Sequence, residues 1–176
     1  DPARQYRTLV LQDELPAKKT LTASERDILL SHGVATFTTD SSGNVAIERV
    51  VTTYQKSSLG AKDESYLDLT TVKTLIYLRY SYVQRMQQKY PRHKLAGDNY
   101  EVQPGQAIAT PKVIAGEALA LAKDWLAAGL IEEYDSFKDS MVTERNALDV
   151  NRIDQLLRPD IINNLMVIAC KIQFKL

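Results

Sequence analysis

The chain ends in a segment, Ala169–Leu176, in which apolar and polar side chains alternate. The apolar members are Ile172, Phe174 and Leu176, and the polar members are Lys171, Gln173 and Lys175. Because a β-strand turns successive side chains to opposite faces, this pattern predicts a strand with one buried face. Cys170 falls on the apolar face, so we expect its thiol to be buried and unreactive. Such a strand must pair, either within its own sheet or with the sheet edge of another molecule.

Helical periodicity predicts a long helix over Leu69–Tyr90, in which apolar side chains recur at three-, four- and seven-residue steps. The predicted stripe consists of Val72, Ile76, Val83, Met86 and Tyr90, widened by Leu75, Leu78 and Tyr82. Pro91 ends this helix because it cannot continue the backbone hydrogen bonding. Tyr77, Tyr80 and Tyr82 lie too far round the helix to share one face, so we expect part of that surface to meet another element or subunit.

A second long helix is predicted after Thr110, which is a typical N-cap residue, with Pro111 at the first helical position and Gly129 after the last turn. Its apolar face consists of Ile114, Ala118, Leu121, Ala122 and Trp125. Gly116 lies within the same helix and weakens it by roughly 1 kcal/mol relative to alanine. We therefore expect a close packing contact at Gly116.

The first third of the chain predicts a short helix followed by a β-hairpin. Thr22 and Glu25 have the spacing of a capping box, and Gly33 stands where a left-handed C-terminal cap is expected. Val34–Thr39 and Val45–Gln55 are rich in strand-forming residues. The intervening Asp40–Asn44 has the residue types of a turn. The apolar face of the short helix is expected to be Ile28, Leu29 and Leu30.

The last part of the chain has a weaker pattern of apolar and polar residues than the predicted helices and hairpin. An acidic segment begins at Glu132, and Ser140–Asn146 and Asn151–Leu157 are interpreted as two strands. Pro159–Leu165 is interpreted as a helical turn.

Composition narrows the functional classes. Twenty-two Lys and Arg residues balance 22 Asp and Glu residues, which argues against a protein that mainly binds nucleic-acid phosphates. The single cysteine excludes an intrachain disulfide. No apolar run approaches the ~20 residues of a membrane span. Because the chain begins with Asp1, we expect it to be part of a longer polypeptide.

Candidate catalytic and ligand-binding chemistry is weak. The two histidines, His32 and His93, are far apart, so no metal or other cofactor is expected. The basic turn Tyr90–Asp98 lacks the glycine-rich backbone of a phosphate site and is interpreted as a solvated or protein-facing patch. The acidic residues around Glu132 leave an α/β enzyme as an alternative, although nothing in the sequence fixes their geometry. The favoured interpretation is that the protein is not an enzyme.

Several longer blocks suggest a family. These are Ile47–Gln55, Tyr66–Thr71, Tyr77–Tyr80, Lys89–Leu95, Pro104–Lys112, Glu144–Asn146 and Ile172–Leu176. In this order they resemble the C-terminal half of the Mu-type contractile phage tail sheath protein, over nearly all 176 residues. One departure is Val150, where the family pattern has proline.

The resemblance implies a structural protein with an α/β (α+β) fold, in which helices pack on a mixed β-sheet and a terminal strand is available for pairing between subunits. Residues 1–176 would form the tube-proximal C-terminal domain, without the upstream arm and protruding domains. The resemblance makes the terminal segment the inter-subunit strand, comprising Ala169, Cys170, Lys171, Ile172, Gln173, Phe174, Lys175 and Leu176. The candidates for facing the tube or a neighbour are Arg92, His93, Lys94 and Lys112.

The implied partners are other copies of the same subunit in stacked hexameric rings, the tail tube protein, the baseplate and the tail terminator. Direct nucleic-acid binding and membrane insertion are not implied. The implied location is the virion tail, assembled in the host bacterial cytoplasm. The sheath of a tailocin or of a secretion-type injection machine is the closest alternative.

Overall fold

A computed structural model describes residues 1–14 and 20–174, and over these ranges the chain forms four helices and eight short strands. The helices are α1 (Ala23–Ser31), α2 (Leu69–Lys89), α3 (Pro111–Ala127) and α4 (Tyr134–Ser140). The strands are β1 (Thr36–Thr39), β2 (Val45–Arg49), β3 (Lys94–Leu95), β4 (Ile108–Ala109), β5 (Ile131–Glu132), β6 (Val142–Arg145), β7 (Ile153–Leu156) and β8 (Asp160–Ile161). The α+β class is confirmed. The strands nevertheless form four two-stranded sheets, of which β3–β4 is parallel, rather than one mixed sheet.

The predicted hairpin is confirmed as β1–β2, and its turn depends on one aspartate. The Asp40 carboxylate accepts hydrogen bonds from the backbone N–H groups of Ser42 and Asn44, at 2.8 and 2.9 Å. Residues 8–11 lie along the other edge of β2, where the Leu11 N–H donates to the Val45 carbonyl at 2.8 Å. The spatial order is therefore residues 8–11, then β2, then β1. We call β1, β2 and residues 8–11 together the hairpin unit.

Helix α1 is fastened to the hairpin unit by polar contacts. Its capping box between Thr22 and Glu25 is formed as predicted. The Arg26 Nε atom donates to a Glu48 carboxylate oxygen at 2.7 Å, and that oxygen also accepts from the Thr36 hydroxyl. The predicted apolar face is not a core face, because none of the nine residues of α1 is buried and Ile28 is exposed. Polar contacts therefore hold α1, which include this ion pair and the hydrogen bond from the Gln55 side chain to the Ser31 carbonyl, while Leu29 and Leu30 are only partly buried.

The main hydrophobic core lies around α3. All five residues of its predicted apolar face are buried, together with Leu130, Ile131 and Phe137. The Trp125 indole N–H donates to the Ser81 hydroxyl of α2 at 2.9 Å, so the largest core side chain also has its polar atom satisfied. Thr110 caps α3 as predicted, accepting from the Val113 N–H. Helix α3 is therefore the element around which the main hydrophobic core is packed.

The buried face of α2 differs from the predicted stripe. Leu78 is buried in the core around α3 and buried Thr74 donates its hydroxyl to the Pro2 carbonyl, whereas Ile76 and Val83 are exposed at 57% and 39%. The stripe has apolar residues on more than one side, and packing against α3 selects only one of them. Of the three tyrosines that cannot share one face, Tyr77 and Tyr80 lie on the exposed side of α2, whereas Tyr82 packs against the core.

Gly116 does not make the expected close contact. It lies on the exposed side of α3, and a Cβ atom added to it would meet no heavy atom within 4 Å of the described chain. Packing within this domain therefore does not require a glycine at this position.

The last third of the chain contains a confirmed hairpin and two differences from the prediction. Strands β6 and β7 pair antiparallel over Val142–Arg145 and Ile153–Leu156. The seven-residue helix α4 was not predicted, and it contributes the fully buried Phe137. The prediction of a helical turn over Pro159–Leu165 is wrong, because β8 pairs with β5 at its start and residues 162–165 form neither helix nor turn. Tertiary pairing outweighs the local preference in this short segment.

A cluster of charged side chains joins the exposed margins of α2 and α3. The Glu117 carboxylate accepts from Arg85 at 2.5 Å and from Lys89 at 2.8 Å, and its side chain is only 10% exposed. Burial by itself would raise the pKa of Glu117, but hydrogen bonds from Lys89 and Arg85 outweigh it and leave the pKa below its usual value. The charged form of Glu117 therefore stabilises the folded state.

We expect Glu117→Gln to reduce the free energy of unfolding by about 1–3 kcal/mol at pH 7, because hydrogen bonds to a charged acceptor are weakened. A lowered folded-state pKa gives stability that is fully present above the unfolded value of about 4.3 and is lost as the pH falls through the folded value. The difference between the two chains should thus shrink from pH 7 towards pH 3 in urea unfolding. The exposed loop carboxylate Glu101 provides the control, Glu101→Gln. A difference that stays constant with pH would contradict this role of Glu117.

Candidate subunit interface

The terminal segment leaves the domain beside its N-terminal residues. The Ile162 N–H donates to the Leu130 carbonyl at 3.2 Å, next to the β5–β8 pair. Further along, the Leu165 carbonyl accepts from the Gln5 side chain at 3.1 Å, and the Met166 carbonyl accepts from Arg7 at 2.7 Å. These contacts fix the base of the segment on the side of the hairpin unit where residues 8–11 lie.

Beyond Met166, residues 167–174 form neither helix nor strand and make no hydrogen bond to the described residues. We call these eight residues the terminal arm. Its large apolar side chains are exposed at 78% to 89%, namely Val167, Ile168, Ile172 and Phe174. The prediction that Cys170 is buried is wrong in the single chain, where the thiol is exposed. Burial would require a paired strand, and no described part of the chain pairs with the arm. Lys175 and Leu176, the last predicted strand residues, lie outside the described ranges.

Exposed apolar side chains in strand alternation are an unusual feature for a folded domain. Unpaired backbone and contiguous exposed apolar surface normally mark an interaction site or an aggregation hazard. From Cys170 to Phe174 the polar side chains Lys171 and Gln173 alternate with apolar ones, so only one face of this stretch would be apolar in an extended conformation, whereas Val167 and Ala169 are apolar on the other face. The arm therefore has the chemistry of a strand that lacks a partner.

The four candidate tube- or neighbour-facing residues lie around the β3–β4 pair and are all exposed. Arg92 and His93 occupy the turn after α2, and Lys94 begins β3. Parallel pairing of Lys94 with Ile108 brings this turn near the start of α3, where Lys112 lies. The Lys112 backbone N–H donates to Asp98 at 2.8 Å, which ties the turn to the helix. The pairing thus places Lys94 and Lys112 on neighbouring segments, with the Asp98 carboxylate bound beside Lys112.

The acidic residues of the alternative enzymatic interpretation lie where β5 leads into α4. Glu132 ends β5, Glu133 adopts a left-handed conformation with φ of 48°, and Asp135 begins the exposed side of α4. Across residues 1–14 and 20–174, no group of three or more potential metal ligands is placed to hold an ion. Among the described helices, none combines the length and apolar character needed to cross a bilayer.

Comparison with known proteins identifies the family. A family model described as the phage tail sheath C-terminal domain matches residues 61–175. The chain belongs to this family. The sheath domain is also 41% identical over 176 residues to the Mu-like prophage FluMu tail sheath protein of Haemophilus influenzae. This alignment covers 99% of the sheath domain but 36% of that relative, so the chain spans about a third of the relative's length.

Solved structures support the same fold. A chain of the anti-feeding prophage baseplate superposes with a TM-score of 0.65, covering 99% of the sheath domain and 46% of that chain. A sheath tail protein from Desulfitobacterium hafniense superposes with a TM-score of 0.59, covering 92% and 37%. Both are 7% identical to the sheath domain, so these matches concern the fold alone. The resemblance drawn from the sequence blocks is confirmed at the level of the family.

Sequence reasoning did not find the residues that hold the base of the terminal arm. Gln5 and Arg7 contact carbonyl groups about 160 positions away, and no local pattern marks either residue as an anchor. The charged cluster at Glu117 was also missed. Its members recur at helical spacing, with Arg85 and Lys89 four residues apart on one helix and Glu117 and Asp124 seven apart on the other. That spacing was the only available signal.

Proposed function

We propose that this sheath domain is the tube-proximal C-terminal part of a subunit that polymerises as stacked hexameric rings around a tail tube. In this proposal, Ala169–Leu176 pairs as a strand with a neighbouring subunit. The observation that carries it is the terminal arm, which is apolar on alternate positions, exposed, and without backbone partners in the described chain. Membership of the sheath family explains why a subunit would keep such a segment unpaired until assembly.

The energetics of a donated strand suit a repeating array. Each backbone hydrogen bond contributes a net ~0.5–1.5 kcal/mol. Burial of an apolar side chain such as Ile172 or Phe174 adds about 1.5–3 kcal/mol relative to leaving it exposed. A handful of such contacts per subunit is modest for one pair of molecules, but it links every subunit of a long assembly. The linked subunits can rotate and slide without separating.

Contraction in this proposal needs no nucleotide or cofactor. The driving force is the free-energy difference between an extended, metastable packing of the rings and a contracted, more stable one. Surface charges of both signs can form new pairs between neighbours after contraction, although single exposed pairs contribute little each. The domain acts as a structural element, without a catalytic step, as it drives the tube through the host envelope.

The proposed partners follow from the position of the domain in such a tail. The exposed side chains of Arg92, His93, Lys94 and Lys112 are the candidate contacts with the tube or with a neighbouring subunit. The baseplate and the tail terminator would contact the two ends of the array, and neither nucleic acid nor membrane is contacted directly. The remaining domains would belong to the rest of a longer polypeptide. The location is the virion tail, after assembly in the host cytoplasm.

A sheath of a tailocin or secretion-type injection machine is the second candidate. It is favoured by the fold shared with a chain of the anti-feeding prophage baseplate. Both candidates use the same assembly physics and differ in what the inner tube delivers.

Electron microscopy of a sheath polypeptide of the relative's length that ends in this chain tests the proposal. We expect hollow tubes of uniform diameter. The 176-residue chain by itself should sediment as a monomer or a weakly associating species, because the upstream arm is missing. A longer polypeptide that remains dispersed at high concentration, or a tight defined oligomer of the 176-residue chain, contradicts the proposal.

A further inference from the structure

The exposed side of α2 carries an apolar stripe between two cations. Ile76, Tyr80 and Val83 recur at the steps of one helix face and are exposed at 57%, 60% and 39%. Helical geometry places Lys73 and Arg79 about 60° to either side of Ile76, one on each flank of the stripe. Both cations are exposed, and neither takes part in an ion pair with a described residue. We call these five residues the α2 face.

The outer face of the β6–β7 hairpin combines apolar side chains with the opposite charge. Val142 lies directly opposite Leu156, and Glu144 lies directly opposite Asp154. Residues that oppose each other in this way share one face of the hairpin. Gln155 lies on the other face, which is turned inward, because its side chain accepts from a hydroxyl group of α2. We call the four outward residues the β6–β7 face, on which Val142 and Leu156 are exposed at 45% and 48%.

The two carboxylates of the β6–β7 face repel each other, and only one of them is neutralised by a described residue. Like charges directly opposite on paired strands are destabilising. Asp154 forms an ion pair with Arg152 and accepts a hydrogen bond from Asn146. Glu144 is exposed and forms none of the ion pairs found in the described part of the chain. A cation supplied by another molecule would relieve this repulsion.

We propose that the α2 face binds the β6–β7 face of a second copy of this chain. In this contact the apolar stripe covers the cross-strand pair of Val142 and Leu156, and Lys73 or Arg79 approaches Glu144. Each face supplies the charge that the other lacks, and every copy carries both faces. The inference goes beyond the proposed strand donation, because neither face includes the terminal arm.

The two faces lie on different sides of one copy, so the contact is heterologous. Tyr82, which donates to Gln155 of the hairpin, lies about 120° round α2 from Ile76. The α2 face is therefore turned away from the hairpin of its own copy. Contacts between two different surfaces continue from copy to copy and generate rings or helical arrays, whereas a self-complementary contact would stop at a pair.

Thiol exchange between two single-cysteine chains tests the contact. Both chains carry Cys170→Ser, which removes the only native thiol. The acceptor carries Val83→Cys as a mixed disulfide to thiopyridine, and the donor carries either Val142→Cys or Leu156→Cys as a free thiol. Attack by the donor thiolate forms the interchain disulfide and releases pyridinethione, which is followed by its absorbance. Each rate is divided by the rate of that acceptor with free cysteine and by the rate of that donor with dithiodipyridine, so that differences in access and reactivity cancel.

Two control chains test placement. Leu126→Cys on α3 replaces the acceptor and is matched to Val83 in exposed fraction, at 42% against 39%. Val34→Cys, which precedes β1, replaces the donor and is matched to Val142, at 46% against 45%. We expect at least one donor position of the β6–β7 face to exchange with Val83→Cys roughly tenfold or more faster than either control combination, because docking raises the local concentration of the thiol.

Charge reversal distinguishes this contact from a non-specific apolar one. Lys73→Glu with Arg79→Glu in the acceptor, or Glu144→Lys in the donor, should each lower the normalised rate about threefold or more at low salt. The two changed chains together should recover most of the lost rate, which a folding defect would not allow. Lys94→Glu with Lys112→Glu in the acceptor is the matched control and should leave the rate unchanged. Circular dichroism verifies that each variant is folded.

The outcomes separate this contact from strand donation. Equal normalised rates in all combinations overturn the contact and leave both faces to proteins other than this chain. A fast rate that does not respond to charge reversal also overturns it, since charge matching is what selects the second copy. Loss of fast exchange when Lys171–Leu176 is removed from both chains overturns it as well, because the arm would then make the contact. Strand donation is decided independently, by tube formation after removal of the arm in a longer polypeptide.

Discussion

Removal of Lys171–Leu176 from a sheath polypeptide that ends in this chain is expected to abolish tube formation and to leave the domain folded. The described residues of this segment make no hydrogen bond to the rest of the chain, and Ile172 and Phe174 are exposed at 89% and 83%. Their loss should therefore change the free energy of unfolding by no more than about 0.5 kcal/mol. A donated strand of six residues, in contrast, would lose several backbone hydrogen bonds of ~0.5–1.5 kcal/mol each at every contact. Electron microscopy and thermal unfolding measure the two effects.

The alternation of the arm provides a matched control for this deletion. Phe174→Glu places a charge on the apolar face and should prevent assembly, since a buried unpaired charge is strongly unfavourable. Gln173→Glu makes the same kind of change on the neighbouring polar position and should be tolerated. Tubes from the truncated polypeptide, or equal effects of the two glutamate variants, would show that the arm does not act as a one-faced strand.

Trp125→Ala is expected to have the largest effect on the stability of the domain. Trp125 is 3% exposed, packs in the cluster that contains Ala122, Ile131 and Phe137, and donates its indole N–H to Ser81. Truncation of a buried large aromatic side chain typically costs ~3–5 kcal/mol, because it removes apolar contacts and leaves a cavity. Folding free energies of single domains are only about 5–15 kcal/mol, so the variant should lose a large share of its stability.

Leu126→Ala, at the next position of α3, is the control for Trp125→Ala. Leu126 is exposed, so this substitution should change stability by about 0.5 kcal/mol or less. Chemical unfolding should be followed by far-ultraviolet circular dichroism, because Trp125 is the only tryptophan and its removal eliminates the intrinsic fluorescence probe. Comparable losses for both variants would mean that α3 is not the centre of the core.

The sequence was most informative where local chemistry determines the structure by itself. Thr110, Pro111 and Gly129 mark the limits of α3, and the spacing of its apolar residues identifies the buried face without error. The Asp40 turn and the capping box of α1 are equally local, because the hydrogen bonds join residues two to four positions apart. Such features depend little on the rest of the fold.

Predictions from the sequence were less accurate where the local residues allow two different structures. At these places, only contacts with distant parts of the chain decide which structure forms. Helix α2 has apolar residues on several sides, and only contact with α3 decides that Leu78 is buried and Ile76 is not. Helix α4 spans seven residues, too few for a clear periodic pattern. Two-residue β8 follows Pro159, and its pairing with Ile131 cannot be inferred from nearby residues.

At the candidate interface, prediction from the sequence was limited for a different reason. The alternation from Lys171 to Phe174 identifies a strand, but the burial of Cys170 expected from it presumes a partner that the single chain does not provide. Sequence patterns encode the final environment of a residue, which for the terminal arm would be an assembled state. The contacts of Gln5 and Arg7 with the base of the arm depend on two distant parts of the chain meeting, which no sequence pattern records.

In the proposed strand donation, the terminal arm of one copy would pair with a different surface of the next copy, so an array built in this way would have a direction. At one end of a row, the last copy has a vacant strand edge, and at the other end the last copy has an arm with nowhere to bind. The two ends therefore differ chemically, and each requires its own kind of capping protein: one that inserts a strand, and one that offers an edge. Growth could then start and stop at different proteins without any change in the subunit itself.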